Sequence, residues 1–252
     1  MSALLEKGLE AYENSDYQTA VTIIEPLAED DVPEAQNCLG RMYYTGNGVN
    51  QNFFTALKWW KKAADKGFAP AQNNLGNMYF YGQAVDQDYE EAAKWYRKAA
   101  DQGLDEAENN IGYLYKVGNG VPQDYVESMK WFRRVADKGV ATGQFNVGNL
   151  YYNGLGVEQD YIEAMKWFAL AADQGLPYAM GILGFMYSSG KGVERDLVAA
   201  YKWLSLAVSR YSSPKDVMCV KAKTVMEQVA EKMTPDQLTQ ALALAKEWKP
   251  KS

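Results

Sequence analysis

A chain of 252 residues with 26 Lys and Arg against 32 Asp and Glu has a net charge of −6, which argues against the basic footprint that a nucleic-acid backbone requires. No apolar run approaches the roughly 18 residues needed to cross a bilayer, so no membrane insertion is expected. There is no histidine, the commonest general base and transition-metal ligand, and the reading is of a protein without metal or cofactor.

The chain repeats itself with a period of 36 residues, without insertion or deletion. One column reads Gly40, Gly76, Gly112, Gly148, Gly184, and a second Tyr43, Tyr79, Tyr115, Tyr151, Tyr187. A second glycine recurs as Gly46, Gly82, Gly118, Gly154, Gly190, a valine as Val49, Val85, Val121, Val157, Val193, and a tryptophan as Trp59, Trp95, Trp131, Trp167, Trp203. Residues 1–31 form a divergent first unit, with helices predicted over 3–13 and 17–28. Asp16 and Ala20 lie one period before Asn52 and Ala56, so the second of these keeps phase. The opening segment has Glu and Lys where a signal peptide has an apolar stretch. A cytoplasmic location is expected, or a periplasmic or secreted one if a leader has been removed.

Five units then cover residues 32–213, each a helix A, a Gly-containing loop and a helix B. In the second, Ala71, Leu75, Met78 and Tyr79 form the apolar stripe of helix A. Helix A stops at the Gly82 column, where glycine suits a left-handed turn. Helix B starts at Asp88, Asp124 or Asp160, with Glu91, Glu127 or Glu163 three residues on, the spacing of a reciprocal capping box. It ends at Gly67, Gly103, Gly139 or Gly175, and short connections make successive helices antiparallel. Residues 214–252 read as a capping segment: a helix over 214–232, a break with Thr234 as N-cap and Pro235 at the first helical position, a final helix to about Trp248, and a disordered Lys-Pro-Lys-Ser tail. The expectation is one all-α solenoid domain over 1–252.

Most residue types that suggest chemistry fall on structural columns. The Gly-x-Gly-Val loops, such as 118–121, follow helices and recur, whereas a phosphate cradle follows a strand. Ala84 replaces the second glycine of that loop in one unit. The tryptophan column is expected in the core. The lysines before it (Lys58, Lys94, Lys130, Lys166, Lys202) are expected on a solvated face, in i,i+4 pairs with acidic neighbours. Ser188–Lys191 and Ser212–Lys215 match Ser-x-x-Lys, but both lie at loops or helix ends. Cys38 and Cys219 stand at opposite ends of the array and are expected to remain thiols. Gly112 is expected where helix A touches helix B, so Gly112→Leu should cost roughly 1–3 kcal/mol.

The columns that vary carry the functional expectation. Three positions before the first glycine stand Asn37, Asn73, Asn109, Phe145 and Gly181; one after it, Arg41, Asn77, Tyr113, Asn149 and Phe185. Four and five after it stand Tyr44, Phe80, Lys116, Tyr152, Ser188 and Thr45, Tyr81, Val117, Asn153, Ser189. Asn can hold a peptide backbone through donor and acceptor, and aromatics give contact area at low entropic cost. The expected site for a peptide or protein partner is Asn37, Arg41, Tyr44, Asn73, Asn77, Phe80, Tyr81, Asn109, Tyr113, Lys116, Asn149 and Tyr152.

The columns together, A-x-x-x-L-G-x-x-Y-x-x-G-x-G-V-x-x-D-x-x-x-A-x-x-W-x-x-x-A-A-x-x-G, resemble the Sel-one-like repeat family, relatives of the tetratricopeptide repeat. The resemblance implies a right-handed α/α superhelix with helices A on the concave face, and scaffold or adaptor roles often met in bacterial proteins. One subfamily carries a disulfide in each repeat, which two cysteines cannot supply. The main expectation is a non-enzymatic, monomeric interaction scaffold. The rivals are a β-lactam- or cell-wall-acting hydrolase, by loose analogy with that subfamily, and an assembly role through the end caps.

Overall fold

The computed structural model describes residues 3–251, and among them are fourteen α-helices and no strand. After α1 (Ala3–Glu13) and α2 (Tyr17–Glu29), the A helices are α3 (Pro33–Thr45), α5 (Ala69–Tyr81), α7 (Asp105–Val117), α9 (Ala141–Asn153) and α11 (Pro177–Ser189). Their B partners are α4 (Phe53–Asp65), α6 (Tyr89–Ala100), α8 (Tyr125–Asp137), α10 (Tyr161–Asp173) and α12 (Leu197–Val208). Two closing helices follow, α13 (Val217–Ala230) and α14 (Pro235–Glu247). The chain divides into two compact units, Met1–Gln123 and Asp124–Ser252. The repeat phase runs through the boundary, since Asp124 occupies the column of Asp88 and Asp160.

Each hairpin is closed by backbone chemistry that the repeat columns supply. Helix A ends in the left-handed region at Gly46, Gly82, Gly118, Gly154 and Gly190, with φ between 66° and 80°. A glutamine column then covers the exposed end: the side chains of Gln51, Gln87, Gln123 and Gln159 donate to the carbonyls of Tyr44, Phe80, Lys116 and Tyr152 at 2.8–3.0 Å. At the start of helix B, Asp88 accepts from the N–H of Glu91 at 2.9 Å, and Asp124 and Asp160 do the same from Glu127 and Glu163. The reciprocal arm of the expected capping box is replaced. The N–H of Asp88 donates to the carbonyl of Tyr79 at 2.9 Å, and that of Asp160 to Tyr151 at 3.0 Å, so the loop itself satisfies the cap donor. The freed glutamates turn to the lysine column instead: Glu91–Lys94 at 3.0 Å, Glu127–Lys130 and Glu163–Lys166 at 2.9 Å. These pairs are i,i+3, where i,i+4 was expected; that spacing holds Lys61–Asp65 and Arg133–Asp137. Helix B ends as expected, with Gly67, Gly103, Gly139 and Gly175 at positive φ. Phe68, Leu104 and Leu176, one residue on, return their N–H to Ala63, Ala99 and Ala171.

In four of the hairpins the core contact is a glycine against a ring or branched side chain. A Cβ on Gly40 would lie 2.6 Å from Trp60, one on Gly76 2.6 Å from Tyr96, one on Gly148 2.8 Å from Phe168 and one on Gly184 2.5 Å from Leu204. The deeply buried column is thus the residue after each tryptophan: Trp60, Tyr96, Phe132, Phe168, Leu204. The tryptophan column itself meets the expectation of burial only in part. Trp95, Trp131 and Trp203 are buried, while Trp59 and Trp167 are half-buried. Trp95 shares one buried cluster with Trp60, Ala63 and Ala64 of the preceding B helix, so that cluster bridges two hairpins. Cations lie over the outer ring faces: Lys98 at 3.8 Å from the Trp95 centroid, Lys62 at 4.5 Å from Trp59, Arg134 at 4.6 Å from Trp131.

The second loop glycine sets the approach of one hairpin to the next. A Cβ on Gly156 would meet the backbone of Tyr125 at 2.6 Å, and one on Gly192 that of Tyr161 at 2.6 Å. Ala84 takes the same place at φ 59°, a left-handed conformation that alanine adopts at some cost.

Within the second unit the C-terminal segment departs from expectation. The helix expected from residue 214 begins at Val217, because Asp216 caps it by accepting from Met218 and Cys219 at 2.7 and 3.3 Å. The next helix has the full capping box, Thr234 with Gln237. The tail is ordered through Lys251, whose N–H donates to the Asp173 carbonyl at 2.7 Å and whose ammonium pairs with the Asp173 carboxylate at 2.6 Å. Trp248 sits edge-on to Trp203 at 6.3 Å, with Arg210 over it at 4.5 Å. Cys38 and Cys219 are buried free thiols.

Candidate interaction surface

In the first unit, the A helices place four of the expected residues around one recess of about 170 Å³: Asn77, Phe80, Tyr81 and Tyr113. Tyr96 and Asn110 complete its lining. Phe80 is the hub, edge-on to Tyr81 at 4.9 Å, to Tyr89 at 5.2 Å and to Tyr113 at 6.3 Å. Tyr81 and Tyr113 remain 64% and 45% exposed, so two rings face solvent beside the half-buried Phe80. Tyr96 donates its hydroxyl to Asn77 Oδ1 at 2.7 Å. Burial pushes the Tyr96 phenol well above its usual range, so it stays a protonated donor and orients the Asn77 amide.

The asparagine column has structural partners that the sequence reading did not give it. Asn74 donates to Asn37 Oδ1 at 3.0 Å, and Asn110 to Asn73 Oδ1 at 2.9 Å, stapling successive A helices. The Asn37 carbonyl also accepts from the Trp60 indole at 3.1 Å. The amides of Asn37 and Asn73 thus each have their side-chain acceptor committed, and Asn73 is buried. Asn109 lies half-buried in the same column. Arg41 is exposed and lies 4.3 Å over the Tyr12 ring. Tyr44 packs on Phe53 and Trp60 at 5.2 and 5.3 Å and donates to Gln83 Oε1 at 2.9 Å. Burial lowers the Lys116 ammonium from its ordinary range.

In the second unit, Asn149 is half-buried, and its carbonyl accepts from the Asn153 amide at 2.8 Å. Tyr152 packs edge-on to Tyr161 at 5.1 Å and accepts from Lys191 at 3.4 Å. Ser188, the serine of one Ser-x-x-Lys match, donates to the Phe185 carbonyl at 2.9 Å, while Lys191 turns to Tyr152. That geometry offers no serine activated by a lysine.

Tyr96 and Asn110 were absent from the expected set although both leave a trace in the sequence. Asn74, Asn110 and Asn146 recur at the period, and Tyr96 belongs to the buried column that follows each tryptophan.

Helical hairpins at a fixed 36-residue period, closed by Gly turns and stacked glycine against ring, define an all-α repeat protein of the solenoid class. The Sel1 repeat model matches residues 33–68, 69–104, 105–140, 141–176 and 177–211, and the chain belongs to the Sel1 repeat family. Among solved structures, it is similar to a Sel1 repeat protein from Oxalobacter formigenes, at 30% identity, 100% coverage of both chains and a TM-score of 0.83. A putative Sel1 repeat protein from Klebsiella pneumoniae subsp. pneumoniae shares the fold at 19% identity, with 82% and 97% of the two chains covered and a TM-score of 0.54. The immunity protein Pa5087 from Pseudomonas aeruginosa does so at 21% identity, with 77% and 74% covered and a TM-score of 0.53. No curated protein matches the chain. The family is typically a protein-interaction fold. Among the described residues no helix is long and apolar enough to cross a membrane.

Proposed function

We propose that the chain is a non-enzymatic interaction scaffold that binds a peptide segment or partner protein on the faces of its A helices. The observation that carries this reading is the recess of Asn77, Phe80, Tyr81 and Tyr113, where two exposed rings and an oriented amide converge. Surface-exposed aromatics next to a fixed polar group are the composition of interaction hot spots. Phe80, itself packed on Tyr89, braces both exposed rings, so a partner orders little on binding. Within the first unit Tyr44 and Lys116 stand at the column position of Phe80, and in the second unit Asn149 and Tyr152 stand at the column positions of Asn77 and Phe80. Arg41 stands at that of Asn77, and the asparagines Asn37, Asn73 and Asn109 share one column.

The test is affinity capture from the source cell with the whole chain and with Tyr81→Ala/Tyr113→Ala. Loss of the partners retained by the wild type, with an unchanged melting midpoint, is the expected outcome. Equal recovery by both proteins would remove the recess as the binding surface.

A further inference from the structure

The second unit contains a cleft of about 370 Å³, at the low end of the roughly 300–1,000 Å³ typical of ligand sites. Its floor is apolar, made by Phe185 of α11, Leu197 of α12, and Val225 and Val229 of α13. Its rim carries three cations, Lys191 and Arg195 from the loop before α12 and Lys232 just beyond α13, and no carboxylate lines it. Of the neighbouring acids, Asp196 caps α12 through the Ala199 N–H at 3.0 Å, and Glu194 and Glu231 are not part of the lining. None of the three cations forms an ion pair among the described residues. In a chain of net charge −6 this is a local inversion of sign.

Lys191 is also held in place. Its ammonium lies 3.4 Å from the Tyr152 hydroxyl, and 5.4 and 5.3 Å from the ring centroids of Tyr152 and Tyr161. Rings orient a cation without neutralising it, so it keeps its attraction for an anion. The hydroxyls of Ser188 and Ser189, which could have bonded a phosphate, donate instead to the Phe185 carbonyl at 2.9 and 2.7 Å. Gln228 on the rim supplies an amide with both donor and acceptor, suited to a peptide backbone.

We propose that this cleft binds an acidic peptide segment, with Asp or Glu carboxylates at Lys191, Arg195 and Lys232 and an adjacent apolar side chain on the Phe185–Val229 floor. The proposal rests on the interaction reading above only in taking the occupant to be a peptide. Apolar contact and charge act together, since an exposed ion pair alone contributes little.

Fluorescence anisotropy of the whole chain tests it with three end-blocked, labelled probes: Gly-Glu-Phe-Glu-Phe-Gly, the same with Gln for Glu, and the same with Gly for Phe. The Glu-Phe probe should bind about tenfold or more tighter than either control, and lose that margin in Arg195→Gln/Lys232→Gln at an unchanged melting midpoint. Equal binding of the Glu and Gln probes, no binding by about 1 mM, or full binding by the double variant would each overturn the cleft. Loss of probe binding only in Tyr81→Ala/Tyr113→Ala would overturn the cleft and leave the recess standing. Probe binding lost only in the cation variant, together with equal partner capture by the recess variant, would support the cleft and remove the recess.

Discussion

Gly148 and Gly192 occupy two glycine columns with different physical duties. Gly148 is helical and is required because Phe168, fully buried, occupies the space of its side chain. Gly148→Ala should therefore destabilise by about 1–3 kcal/mol, read as a lower thermal midpoint. The same contact recurs at Gly40, Gly76 and Gly184. Gly192 sits at φ 69°, with the Tyr161 backbone 2.6 Å from where a Cβ would be. Alanine there meets both a left-handed backbone and rigid peptide atoms, and about 2 kcal/mol or more should be lost. Ala84→Gly, in the same column at φ 59°, should change stability by less than about 1 kcal/mol, because relief of strain is offset by the flexibility of glycine. A neutral Gly192→Ala in a melting experiment would refute this account of the column.

Between elements, side-chain amides and phenols hold the A helices in register. The Asn73–Asn110 bond of 2.9 Å joins α5 to α7, and a double-mutant cycle with alanine at both positions should return a coupling of about 1 kcal/mol. Tyr96→Phe leaves Asn77 Oδ1 without its donor inside the recess and should cost about 1–2 kcal/mol in urea unfolding. Lys94→Gln, by contrast, removes an exposed pair with Glu91 and should leave the urea midpoint unchanged. These elements also mark where the sequence was readable. Helix ends, Gly turns and Asp caps recur at fixed positions and were legible because they are local backbone requirements. The destination of the Glu91 side chain was not, because it depends on the cap N–H being taken by Tyr79, a contact across the loop. The Asn37 and Asn73 amides looked free for the same reason: their partners Asn74 and Asn110 lie 37 residues on and are set by packing of one hairpin on the next. Of the recess, Asn77, Phe80, Tyr81 and Tyr113 stood out as variable among uniform columns. Tyr96 was masked by its membership of a buried column.

For the molecule as a whole, stability in a repeat protein is a sum of hairpins and their nearest-neighbour contacts, so the ends matter more than their length suggests. Trp248 and Lys251 close the second unit by returning to Trp203 and Asp173. The sequence showed Lys-Pro-Lys-Ser as a free tail, since nothing local in four residues reveals a docking site on α10. Trp248→Ala should open this end: hydrogen exchange should speed up in α10 and α12, while α1 to α3 keep their protection. Uniform acceleration along the chain would contradict nearest-neighbour coupling.

The contact of Gly192 with the Tyr161 backbone, and of Gly156 with that of Tyr125, joins each loop to the hairpin just before it. A duplicated stretch of 36 residues thus carries both halves of its own joint, the glycine that docks and the tyrosine that receives. Such a gene can gain or lose a unit by unequal recombination without designing a new junction. The number of hairpins is then an inheritable variable, adjustable one at a time, while the closing helices stay as they are.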